Sequence, residues 1–235
     1  MYYNLLIYFL STVFSFPANE TKLETPKTYA SIVVRPIEKR ANVIYSILDA
    51  NNFSLPKLES FTEALDGFYD LKEKGLVTKD ILTIIDFSLS SSKKRLWIID
   101  LSTNTVLYNS VVSHGMNSGG EFANSFSNLS SSNKSSLGFY ATGEVYNGKN
   151  GMSLKLDGLE KGVNDNARSR AIVMHGADYA NPSILNTQNF LGRSQGCPAI
   201  PRTITSKIIN IIKNKSCLFI YHPSRIRKLN SVLVS

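Results

Sequence analysis

Only two cysteines, Cys197 and Cys217, occur in the 235 residues, too few for the disulfide framework that holds small secreted domains together. Neither stands in a Cys-x-x-Cys pair, and the three histidines, His114, His175 and His222, show no His-x-x-x-His spacing. No metal and no organic cofactor is therefore expected. The longest apolar run, Leu5 to Phe16, is too short to cross a bilayer, which takes about 20 residues. Acidic residues are missing from the last quarter: no Asp or Glu follows Asp178.

What is present begins with charge. The 26 basic and 18 acidic residues leave a formal net charge of +8. Beyond Asp178 stand Arg193, Arg202, Lys207, Lys213, Lys215, Arg225, Arg227 and Lys228, so the whole excess lies around Cys197. A field of one sign favours anionic partners, although the same residues also serve as a solubilising surface. Basic and aromatic residues do not interleave, and no DNA-binding motif is present, so nucleic acid is not an expected partner. The Leu5–Phe16 run suits the core of a signal peptide over residues 1–18, with Val13 and Ser15 at a cleavage site, although no Lys or Arg precedes it. It implies export to the periplasm or cell envelope, with no stable membrane span after cleavage. The alternative is that the segment packs as a first strand or helix.

The rest of the chain divides by pattern. Residues 19–40, with Pro26 and Pro36, read as a linker or extended arm. Residues 41–79 read as a helical extension: a short helix over Ala41–Ala50, then a longer one with Ser54 as N-cap and Pro56 in its first turn. Phe61, Leu65, Phe68 and Leu71 recur there at helical spacing before Gly75. From residue 80 to 224 the runs ILTIIDF, RLWIID, TVLYNSVVS, GFYATGEVY, RAIVMH and SCLFIYH predict short strands, and 12 of the 14 glycines fall between Gly115 and Gly196. The expected class is mainly β with α (α+β), a β-sandwich or barrel. One helix interrupts it over Arg202–Lys213, opened by Pro201, with Ile204, Ile208, Ile211 and Ile212 on one face. Asn117–Ser136 reads as a long surface loop, and residues 225–235 as a basic tail.

The chemistry concentrates in RSQGCPAIP. Cys217 lies in the apolar run SCLFIYH and reads as a core residue. Cys197 does not: Gly196 before it allows close backbone approach, and Pro198 and Pro201 fix the chain's exit. Such a turn displays a thiol and aims backbone N–H groups at a developing oxyanion. A free thiol titrates near ~8.5, so an imidazole is needed to make it a good nucleophile at neutral pH. His175, ending the apolar strand RAIVMH, is the candidate base. A Cys197–Cys217 disulfide and a structural role for His175 are the competing readings.

An HG pair followed about twenty residues later by SxGC resembles the catalytic signature of the murein L,D-transpeptidase catalytic domain family, with its YkuD-like fold. RLWIIDLSTNTVLYNSVVSHG resembles the family's opening strands, SSLGFY its TPxGxF segment, and GRSQGCPAI its nucleophile turn. The resemblance covers residues 80–224. It implies Cys197 as nucleophile, His175 as general base, Gly196 and the Cys197 N–H on the oxyanion side, and Ser194 as the motif's Ser/Thr. Gln195 stands where the family motif has histidine, and Pro198-Ala199 where it has an isoleucine and an arginine. Arg193 or Arg202 is expected to replace that arginine against a substrate carboxylate, with Gly176, Tyr140 and His114 as further substrate-binding residues. The implied partner is a peptidoglycan stem peptide, and the implied reaction a cysteine acyl transfer that releases terminal D-alanine and cross-links two stems. The same stems as substrates of an L,D-carboxypeptidase, a sortase-like cysteine transpeptidase and a non-catalytic wall-binding protein are the alternatives. The sortase-like reading requires an arginine on the strand after the cysteine, where Pro201 and a helix-like run stand instead.

Overall fold

The computed structural model describes residues 36–225, side chains from residue 39 onward. The expected signal peptide at 1–18, residues 19–35 of the expected linker and residues 226–235 of the expected tail lie outside the described residues.

Among the described residues two helices come first, α1 (Pro36–Ser46) and α2 (Leu58–Glu73). The expected linker is thus corrected at its end, because residues 36–40 are already helical; proline carries its fixed φ without penalty in a first turn. Helix α2 buries Phe61, Leu65, Phe68 and Leu71 completely, as their spacing predicts. Ser54 is not its cap. The extended residue Lys57 occupies that position, while the Ser54 hydroxyl donates to Asn109 Oδ1 at 3.0 Å and its carbonyl accepts from the Trp97 indole at 2.7 Å.

Eight strands follow: β1 (Ile81–Asp86), β2 (Leu96–Asp100), β3 (Thr105–Ser110), β4 (Gly138–Gly148), β5 (Gly151–Gly158), β6 (Val173–Gly176), β7 (Ala199–Ile200) and β8 (Cys217–Tyr221). Helix α3 (Arg202–Ile212) links the last two. The strands form one mixed sheet in the order β3-β2-β1-β8-β4-β5-β6-β7. Only β1–β8 and β6–β7 run parallel. The sheet curls until its ends meet, because Ser113, just past β3, bridges to Ala199 of β7. Closure of this kind removes exposed strand edges.

Each face of the sheet carries its own core, sorted by the two-residue period of a strand. On the central strand β8, Cys217, Phe219 and Tyr221 join Phe61, Phe68, Leu82 and Ile84 beneath α1 and α2. Leu218 and Ile220 point the other way, to Ile85, Ile98 and the α3 residues Ile208, Ile209 and Ile212. The helical extension is therefore packed on the sheet rather than set apart from it. The α3 face is rotated from the expected one: Ile209 is fully buried, whereas Ile204 and Ile211 are only partly so. The start of the expected basic tail is also corrected. The Arg225 side chain is only 6% exposed, held by Glu160 at 2.7 Å and by Glu63. It lies 5.3 Å from the centre of the Phe219 ring. A guanidinium at such depth needs paired carboxylates. Among the described residues no helix is long and apolar enough to cross a membrane.

Candidate active site

The pairing of β6 with β7 makes neighbours of residues far apart in sequence. His175 stands beside Ala199 and Gly176 beside Ile200, so the Cys197 turn enters the sheet next to the histidine. A network of hydrogen bonds shapes that turn. The Ser194 N–H donates to the His114 carbonyl at 2.9 Å, and the Met116 N–H to the Ser194 carbonyl at 2.7 Å. The Ser194 hydroxyl donates to the Cys197 carbonyl at 2.7 Å and accepts from the Gly196 N–H at 3.0 Å. The Gly196 carbonyl accepts from the Ser135 hydroxyl at 3.1 Å. Gly196 has φ of +121°, and a Cβ there would lie 2.8 Å from the Lys134 carbonyl oxygen. Both conformation and space require glycine.

Cys197 and Cys217 are both free thiols. Cys217 is wholly buried in β8 and burial pushes its thiol well up. Cys197 is half-buried. Its sulfur accepts from the Val173 N–H at 3.5 Å and directs its proton toward the Ala171 carbonyl at 3.7 Å. Burial pushes the Cys197 thiol up as well, opposed by the Val173 N–H and by the charges of Arg170 and Lys149. His175 is 4% exposed, and its Nδ1 lies 3.1 Å from the Gly176 carbonyl. A carbonyl only accepts, so Nδ1 carries the proton and Nε2 keeps its lone pair. Burial lowers the His175 pKa, against the Gly176 bond and with the Arg202 and Lys149 charges. Both shifts disfavour the charged forms, the Cys197 thiolate and the His175 imidazolium.

Cys197, His175, Ser194, Gln195 and Arg193 all line one cavity of about 610 Å³. Lys149, Arg170, Tyr146 and Tyr179 share its wall, and among the described residues no Asp or Glu lines it. The long loop contributes Ser131 and Asn133, both with φ near the left-handed region at +58° and +53°. Arg170 secures this loop by donating to the Ser127 and Lys134 carbonyls and to the Ser132 and Ser136 hydroxyls.

Four expected substrate-binding residues lie elsewhere. His114 is fully buried behind the turn, its Nδ1 2.7 Å from the Arg95 guanidinium. Burial, joined by the Arg95 charge, lowers its pKa to about 4. Tyr140 is fully buried and donates to the Ser136 carbonyl at 3.0 Å. Gly176 gives room to α3, since a Cβ there would meet Thr205 Oγ1 at 2.5 Å. Arg202 is a strut: it pairs with Asp178 at 2.8 Å and donates to the Asn150 carbonyl at 3.2 Å. The Gly196 N–H, expected on the oxyanion side, donates to the Ser194 hydroxyl at 3.0 Å. The basic last quarter supplies the cavity with Arg193, whereas Lys149 and Arg170 come from before Asp178. Neither lies in a motif that flags it, and only the folded sheet brings them to Cys197.

The model of a family described as L,D-transpeptidase catalytic domain matches residues 54–221, from just before α2 to the end of β8. The chain belongs to that family. No curated protein matches it in sequence. Among solved structures it is similar to an L,D-transpeptidase from Mycobacterium smegmatis, at 10% identity and a TM-score of 0.38 over 61% of this chain and 59% of that one. It is similar to the helical cell shape determining protein Pgp2 from Campylobacter jejuni, at 13% identity and a TM-score of 0.41 over 67% and 56%. An Enterococcus faecium L,D-transpeptidase gives 10% and 0.35 over 61% and 50%. The chain thus spans between half and three fifths of the length of each of these proteins.

Proposed function

We propose that this L,D-transpeptidase family member transfers acyl groups from peptidoglycan stem peptides through a Cys197 thioester. The observation that supports this reading is the convergence of a half-buried thiol and a buried imidazole, whose Nδ1 meets the Gly176 carbonyl, on one cavity. His175 Nε2 takes the thiol proton as sulfur attacks the carbonyl of the third stem residue. The thiolate that forms is stabilised by the Val173 N–H and by the nearby cations. The C–O bond opens to an oxyanion, which the Cys197 N–H receives, since Ser194 occupies its Gly196 neighbour. The C–N bond then breaks, and His175 returns its proton to the departing D-alanine nitrogen. A side-chain amine of a second stem attacks the thioester to form a cross-link and regenerate the thiol. Attack by water instead makes the protein an L,D-carboxypeptidase. Work on such stems belongs in the cell envelope, and export there is part of the same proposal.

The test is incubation of the protein with tetrapeptide muropeptides, followed by mass analysis of protein and products. The expected result is an adduct equal to the tripeptide acyl group, present with wild type and absent with Cys197→Ser. Cross-linked dimers identify a transpeptidase and free tripeptides a carboxypeptidase. Wild-type protein that stays unmodified and leaves the donor intact overturns the reading in favour of a wall-binding protein.

A further inference from the structure

Among the described residues the cavity carries three cations and no carboxylate, yet the three are not equivalent. Arg170 spends its guanidinium on four oxygens of the long loop. Arg193 donates to the Gly119 carbonyl at 3.1 Å and more weakly to that of Met116. Lys149 has no hydrogen-bond or ion-pair partner among the described residues, although it lines the cavity. It also occupies a built position. Gly148 pairs with Gly151 at the end of the β4–β5 hairpin, leaving Lys149 and Asn150 as its two-residue turn. Arg202 pins that turn through the Asn150 carbonyl and is itself anchored on Asp178. Three residues past the turn, Ser153 pairs with His175, so the strand leading from the hairpin tip runs alongside the strand of the base. The Lys149 charge is felt at both Cys197 and His175.

We propose that Lys149 is a specificity-determining residue that binds the terminal carboxylate of the leaving amino acid, so that the site takes donors ending in a free acid. The proposal rests on the acyl-transfer reading and adds to it the group that reads the leaving residue. In a C-terminal residue the carboxylate sits on the carbon bonded to the scissile nitrogen. An ammonium on the wall of the cavity that also holds the thiol and the imidazole is therefore placed for that carboxylate rather than for those further up the stem. A cation without a protein anion keeps its full attraction for a ligand. No arginine follows the cysteine to take this part: Pro198, Ala199, Ile200 and Pro201 stand there.

Two donors test it, a stem tetrapeptide with a C-terminal carboxylate and the same peptide as its C-terminal amide. Wild type is expected to favour the acid in kcat/KM by about 10-fold, the scale of one charged hydrogen bond at an exposed site. Lys149→Ala is expected to bring that ratio near one through KM, and Lys149→Arg to restore it. A variant that turns over both donors more slowly with the ratio kept overturns the proposal, because Lys149 then serves only the hairpin. Binding of the same two peptides to Cys197→Ser separates this from the chemistry. If wild type forms no thioester while Cys197→Ser prefers the acid in a Lys149-dependent way, the acyl-transfer reading fails and the carboxylate site stands. If wild type acylates equally with acid and amide, the reading stands and the carboxylate site fails.

Discussion

The Ser194 hydroxyl spans the nucleophile turn, donating to the carbonyl of Cys197 at 2.7 Å while accepting from the N–H of Gly196 at 3.0 Å. One side chain thus sets the backbone on both sides of the Gly196–Cys197 peptide. Ser194→Ala leaves the buried Gly196 N–H unpaired, a cost of about 1–3 kcal/mol. The expected result is a fall in acylation rate of about 10- to 100-fold, with Ser194→Thr retaining most of it. Thioester formation followed by intact-protein mass checks this. A Ser194→Ala protein that acylates at the wild-type rate shows that the turn holds without the hydroxyl.

The two thiols differ in access. Native protein treated with iodoacetamide is expected to label at Cys197 alone, and Cys217 only after unfolding, since β8 buries it completely. Burial holds the Cys197 thiol up. Its labelling rate in the free protein should therefore climb only at pH above the range of an exposed thiol, about 8.5. Peptide mapping of the alkylated protein gives the answer, and labelling of Cys217 in the native state contradicts the burial.

His175 must be neutral to accept a proton. Burial lowers its pKa from 6.5, so the neutral form survives to lower pH than in a free imidazole. The acid limb of kcat/KM is therefore expected below pH 6.5. His175→Ala is expected to abolish thioester formation while leaving the unfolding transition cooperative. An acid limb above 6.5 argues that a group other than His175 is the base.

His114 makes a different prediction, one of stability. Its pKa falls from 6.5 to about 4 in the folded protein. As pH drops through that window the unfolded chain binds the proton first, so the stability tied to neutral His114 is complete above 6.5 and is lost toward 4. Between pH 7.5 and 4.5 wild type is expected to lose about 2 kcal/mol more than His114→Gln, which has no imidazole to titrate. Urea unfolding at the two values measures the difference, and equal losses place His114 in contact with solvent.

The strands that matched their sequence patterns are those dense in β-branched and aromatic residues, such as β1 and β8. Strand β5, GMSLKLDG, carries glycines at both ends and charges within. It forms because β4 and β6 pair with it on either side. Strand β7 is two residues long and exists only because β6 and Ser113 flank it. The α3 face turned for a related reason: docking on the sheet, not spacing alone, chose Ile209 over Ile204 and Ile211.

Local sequence determined the kind of thiol that each cysteine is. A cysteine inside SCLFIYH has a strand to bury it, and one between Gly196 and Pro198 cannot join a strand or helix interior and remains at a turn. The same local grammar did not separate the histidines. In the sequence His114 and His175 each follow an apolar run and precede a glycine, and the residues around them offer the same pattern twice. Tertiary structure decided between them. Closing the sheet placed His114 behind the turn against Arg95 and His175 beside Ala199 on the cavity side. It also brought in Lys149 and Arg170, which no spacing links to Cys197. Electrostatic attraction depends on distance through space, and distance along the chain carries no information about it once a sheet has folded back on itself.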